Sequence, residues 1–191
     1  MKINTRIVLC SATLAALLLP ATAQINQRKD NQQDRIANGV ADGQLTAGET
    51  ANLEKKESNL NKEEKLMRSE DNGKLTGADR KVLNQQQNQL SKQIYNQKHD
   101  AQTQNTSPKS EVGKRAENQQ DRIAQGIKSG QLTAGEASNL ERKEAGINRE
   151  VRNDRAANGG KLTPAERRQV NRQQNHVSNQ IYNKKHNGRR Q

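Results

Sequence analysis

The chain is poor in nearly everything that builds a large apolar core. Its 191 residues include no Phe, no Trp, two Tyr and three Pro. Leu, Ile and Val make up about 14% of residues 24–191, below the level of about 20% under which chains tend to disorder. A large, dry core is therefore not expected. Beyond residue 24 no apolar run approaches the ~18 residues of a membrane-spanning helix, so no transmembrane segment is expected in that part. The single cysteine, Cys10, lies ahead of most of the first apolar run, whereas a lipoprotein cysteine would follow it. Residues 24–191 have no cysteine, which excludes disulfides, thiolate metal sites and a cysteine nucleophile there.

What is present begins with an export signature. Lys2 and Arg6 precede an apolar segment from Ile7 to Leu19, and Ala21-Thr22-Ala23 forms a small-x-small site before Gln24. This reads as a secretory signal peptide over residues 1–23, cleaved between Ala23 and Gln24. The protein is thus expected to be secreted or periplasmic.

The rest is a duplication. Shifting the chain by 87 positions lays "NQQDRIANG" at Asn31 on "NQQDRIAQG" at Asn118, and the match runs without a gap to His99 and His186. Within each copy, Gly-x-Leu-Thr-x-x-acid returns after 30 residues: "GQLTAGE" and "GKLTGAD", then "GQLTAGE" and "GKLTPAE". Between these turns the residues are Glu, Lys, Arg, Gln, Ala and Leu, all good helix formers. The expected fold is all-α, with two tandem copies of a sparse three-helix unit joined by a flexible linker. Its helices are placed near 26–41, 46–71, 76–99, 113–128, 133–158 and 163–186. The expected division is copy 1 over 24–100, a linker over 101–114, copy 2 over 115–187 and a basic tail over 188–191. Leu53, Leu60 and Met67 form a thin apolar stripe spaced by seven, and such a helix needs neighbours to be stable.

The four turns resemble the second half of an EF-hand loop. Calcium takes six to eight oxygens, and the best ligand set on offer is Asn38, Asp42 and Glu49. In the other loops most early ligand positions are lost, with Arg68 and Arg155 at first positions. A capping role accounts for the residues that persist. Gly43, Gly73, Gly130 and Gly160 can end a helix in the left-handed conformation. Thr46 with Glu49, Thr76 with Asp79, Thr133 with Glu136 and Thr163 with Glu166 then make capping boxes, and Pro164 suits a first helical position.

Other chemistry is thin. His99, His176 and His186 have no ligand partners at helical spacing in both copies. No phosphate-binding Gly loop, nucleophile elbow or paired buried carboxylate is evident. The acids are read as solvated surface among Lys and Arg. No cofactor and no catalytic residue are expected, and the protein is read as a non-enzyme.

Charge is the most informative feature. The net charge is +12. Residues 31–100 are close to neutral, whereas residues 118–187 carry about six more basic than acidic groups. Arg167, Arg168, Arg172, Lys184, Lys185, Arg189 and Arg190 are the candidate polyanion-binding residues. An exported chain with almost no aromatics is poorly suited to nucleic acid. An anionic lipid, lipopolysaccharide or acidic polysaccharide suits it better. The alternatives are a degenerate EF-hand-like calcium-binding protein and a structural protein that assembles into oligomers.

The string "DRIAxG…SGQLTAGE…NGGKLTxAE…NRQQN…QIYNxKH" resembles a family of secreted bacterial tandem-repeat proteins built from one or two such copies. The resemblance covers most of residues 24–191. It implies an exported helical protein of Gram-negative type and assigns an activity to no residue.

Overall fold

Six helices and no strand make up residues 21–190, which are those described by the structure, a computed structural model. They are α1 Ala21–Ala41, α2 Ala47–Glu70, α3 Gly77–Lys98, α4 Glu111–Lys128, α5 Ala134–Ala157 and α6 Pro164–Lys185. The fold is all-α. The expected leader lies outside the described residues except at 21–23, which open α1.

The starts of α2 to α6 are chemically marked. Thr46, Thr76, Thr133 and Thr163 stand at N-caps with extended backbone. Each threonine hydroxyl accepts from the amide three residues on, and Glu49, Asp79, Glu136 and Glu166 return the bond to the cap amide. Two first-turn donors that lack helical partners are satisfied in this way at every box. Ser110 caps α4, accepting from Gly113 N at 3.2 Å. Gly43 and Gly130, at φ +67° and +65°, turn the chain back so that Leu45 and Leu132 reach the ends of α1 and α4. There Leu45 N donates to Gly39 O and Leu132 N to Gly126 O, both at 2.9 Å. A Cβ on Gly39 would lie 2.8 Å from Leu45 Cγ, and one on Gly126 would lie 2.7 Å from Leu132 Cγ. These glycines are seats for the turn leucines.

Within each half, α3 leans on both α1 and α2, and α6 on both α4 and α5. Buried glutamines join these layers. Gln32 Nε2 donates to Gln87 O at 2.8 Å and Gln87 Nε2 to Ile25 O at 3.1 Å. Gln119 to Gln174 O, at 2.7 Å, and Gln174 to Val112 O, at 2.9 Å, repeat the pair in the second half. The most extensive contact in the molecule joins the halves, α2 against α5, followed by α1 against α4. Ser138 Oγ donates to Ala51 O at 2.8 Å, and a Cβ on Gly135 would sit 3.1 Å from Ser58 Oγ. Position rises along one helix as it falls along the other, so α2 and α5 are antiparallel. Ser138 is the 87-residue counterpart of Ala51, which puts this contact beside the pseudo-twofold relating the halves.

The two halves pack on each other. One cluster of buried aliphatic residues runs through both, from Ile25, Ile36 and Leu53 to Ile123, Leu140 and Ile181. The connection is docked as well. Gln104 N donates to Gly43 O at 2.8 Å, and its side-chain oxygen accepts from Ala47 N at 3.3 Å. From Glu111 the chain is already α4, so the connecting segment is shorter than the 101–114 read from sequence.

Candidate functional site

The buried faces of α2 and α5, the two helices that join the halves, carry both aliphatic and acidic residues. Leu53, Leu60, Leu140 and Ile147 are buried, and so are Glu54, Glu57, Glu141 and Glu144, each 0% exposed. The reading of the acids as solvated surface fails at these positions. Gln33 Nε2 donates to Glu54 Oε2 at 3.3 Å, and Gln120 Nε2 to Glu141 Oε2 at 2.9 Å. The other oxygen of each, and both oxygens of Glu57 and Glu144, have no hydrogen-bond partner. Loss of solvent disfavours the charged form of all four. Burial, reinforced by Glu57, raises the Glu54 carboxyl to about 8 despite the Gln33 bond. Burial raises Glu57 to about 7 against the pull of Lys29, and Glu144 to about 8. Glu141 is raised well above the usual range by burial and by the charges of Glu144 and Glu54, against the Gln120 bond. The sequence did carry a signal. Glu57 lies four residues after Leu53 and three before Leu60, on the apolar face of α2, and Glu144 occupies the same place in α5.

Two other inward acids are provided with cations or donors. Glu64 accepts from Lys29 Nζ at 2.8 Å and from Arg68 Nη2 at 2.7 Å. Burial opposes its charge, but these two partners hold its carboxyl below the usual range. Glu136 caps α5, accepts from Asn187 Nδ2 at 2.7 Å and has Lys184 at 3.8 Å and Arg189 at 4.0 Å. Burial works against its charge too, and the Asn187 and Thr133 bonds with the Lys184 ammonium outweigh it.

Two of the three calcium candidates, Glu49 and Asn38, are otherwise engaged. Glu49 Oε2 accepts from both Thr46 N at 2.9 Å and Thr46 Oγ at 2.7 Å, and Asn38 Oδ1 accepts from Lys128 at 3.4 Å. Among the described residues no group of three or more His, Asp or Glu side chains is placed to hold a metal ion.

The seven basic candidates divide. Arg167, Arg168 and Arg172 lie exposed on the first turns of α6. Lys184, Arg189 and Arg190 lie at its other end, more than ten residues away, or roughly 18 Å at 1.5 Å per residue. Lys185 turns towards α4, donating to Arg122 O at 3.3 Å and Gln125 Oε1 at 3.0 Å. Lys184, Arg189 and Arg190 line an open cleft together with Lys29, Lys62 and Lys65 of the first half. Asp30 and Glu136 are the acids among its described lining residues. The first-half lysines escaped the sequence reading because that half is neutral in sum.

The pseudo-equivalent cleft is lined by the N-terminus of α2, by Arg149, Arg152 and Arg155, and by the connecting segment around Gln104. At the 87-residue counterparts of Lys29, Arg189 and Arg190 it has Ala116, Gln102 and Thr103. The two clefts are lined by many of the same sequence positions 87 residues apart and differ in charge.

The only aromatics sit at the far ends of α3 and α6. Tyr95 stacks on His99 with centroids 4.2 Å apart, and Tyr182 on His186 at 4.3 Å. Each histidine Nδ1 contacts the tyrosine carbonyl, at 2.7 and 2.6 Å, so both rings close a helix end. No helix among the described residues is long and apolar enough to cross a membrane. Comparison with family models, with curated proteins and with solved structures gives no match for the chain.

Proposed function

We propose that the protein is an exported, non-enzymatic binding protein that takes an anionic envelope component, a phosphorylated lipid headgroup or lipopolysaccharide, in the cleft between its halves. One observation carries this reading: Lys29, Lys62 and Lys65 from the first half converge with Lys184, Arg189 and Arg190 from the second on a single cleft. Lys62 and Lys65 enter no ion pair among the described residues, which leaves their charge available to a ligand. The binding surface is then a property of both halves, where sequence alone pointed to the second.

Exposed basic groups near an anionic surface contribute about 1 kcal/mol each, and salt screens them within a Debye length of ~8 Å at physiological strength. The experiment is cosedimentation of residues 24–191 with phosphatidylglycerol vesicles, phosphatidylcholine vesicles and lipopolysaccharide at low and physiological salt. Binding to the anionic probes, weakened more than tenfold by Lys62→Gln/Lys65→Gln/Arg190→Gln, is expected. Arg167→Gln/Arg168→Gln/Arg172→Gln should weaken it less. Equal loss in the two triple variants would leave only diffuse charge attraction, and no binding to either anionic probe would refute the proposal.

A further inference from the structure

Most of the inward-facing acids lack the one thing that Glu64 and Glu136 possess, a cation or a strong donor set. Glu54 and Glu141 act on each other across the joint of the two halves, Glu57 and Glu144 lie one turn further along each helix, and none of the four has an ion pair among the described residues. We propose that this joint is a proton switch: the four carboxyls let α2 pack on α5 only while they are protonated, and their ionisation separates the two helices.

The surroundings on every packed element support this. From α1, Lys29 and Asp30 both act on Glu57 with opposite sign, and the Lys29 ammonium is already spent on Glu64 at 2.8 Å. From α4, Gln120 is the donor that reaches Glu141, and Ala116 stands where the first half has Lys29. The buried residues of α3 are Leu83, Gln87, Leu90 and Ile94, and those of α6 are Val170, Gln174, Val177 and Ile181, all neutral. Among the described residues Lys29 is the one cation that acts on any of the four, and a single ammonium shared with Glu64 does not offset four negative charges. Glu54 and Glu141 also act on each other across the interface, so ionising either makes the other harder to ionise. Burying unpaired like charges costs more than exposing them to water, and the cheapest relief is entry of solvent between α2 and α5. Protonated, the groups bury no charge, and Glu54 and Glu141 keep the bonds from Gln33 and Gln120. The raised carboxyls place the transition near neutral to mildly alkaline pH. The switch needs no ligand, so it stands or falls separately from anion binding.

Two measurements on residues 24–191 test it. Infrared spectroscopy should show a protonated-carboxyl stretch at pH 6.5 that disappears by pH 9. Over the same interval, amide hydrogen exchange, corrected for intrinsic rates, should speed up at least tenfold in α2 and α5. In Glu54→Gln/Glu57→Gln/Glu141→Gln/Glu144→Gln both changes should vanish. Absence of the carboxyl band at pH 6.5, unchanged protection of α2 and α5 at pH 9, or a pH response that persists in the fourfold variant would each overturn the proposal. If that variant does not fold, the infrared titration of the wild-type chain still decides.

Discussion

Replacing Glu144 by Gln should make the protein more stable at alkaline pH, although it removes a charged residue from a highly charged chain. Glu144 is 0% exposed, and neither of its oxygens has a partner. Its carboxyl moves from 4.5 when solvated to about 8 in the folded protein. The folded chain therefore keeps a proton that the unfolded chain releases across that interval. Stability falls as pH rises from 4.5 through about 8, and the contribution is complete only below the lower value. At about 1.4 kcal/mol per pH unit the full shift corresponds to roughly 5 kcal/mol. Relaxation that admits water reduces this to about 2–4 kcal/mol. For a chain of this size that is about 4–16 °C in melting temperature. Gln keeps the shape and discards the titration. Thermal melts followed by circular dichroism should show wild type and Glu144→Gln within a few degrees at pH 5, and the variant clearly higher at pH 8.5. Equal melting at pH 8.5, or a wild-type Tm that rises from pH 5 to pH 8.5, would refute the reasoning.

Further outcomes follow from the turns. Thr46→Ala or Thr133→Ala removes the oxygen that accepts from the amide three residues on and should cost about 0.5–2 kcal/mol in chemical denaturation; unchanged midpoints would dismiss the cap as a stabilising element. Gly126→Ala should destabilise by about 1–3 kcal/mol through overpacking, despite the better helix propensity of Ala, because the new methyl would sit 2.6 Å from Cδ1 of the fully buried Leu132. A gain in stability there would mean that Leu132 can move aside.

The helices and their ends were set by local chemistry, and so were legible from the sequence. Gly-x-Leu-Thr-x-x-acid acts within one turn of chain, and its four copies place all four capping boxes without reference to anything distant. The duplication, the all-helical class and most boundaries follow from the same short-range rules. The seats at Gly39 and Gly126 were less visible, since a glycine in a helix declares nothing until the leucine beyond the turn is seen to need the space.

What lies between the halves was decided by tertiary structure alone. Whether Glu54, Glu57, Glu141 and Glu144 face water or one another depends on α2 meeting α5, a pairing of segments 87 residues apart in sequence. A thin stripe of Leu53, Leu60 and Met67 cannot bury itself, and α2 takes its cover from α5, α3 and α1 together, which brings its acids inside. The cleft has the same origin. Lys62 and Lys65 belong to a half with no net charge, and Arg190 to a tail, and only the packing of one half on the other sets them around one space. Burial and convergence of charge are properties of which surfaces meet, and local propensity does not encode that choice.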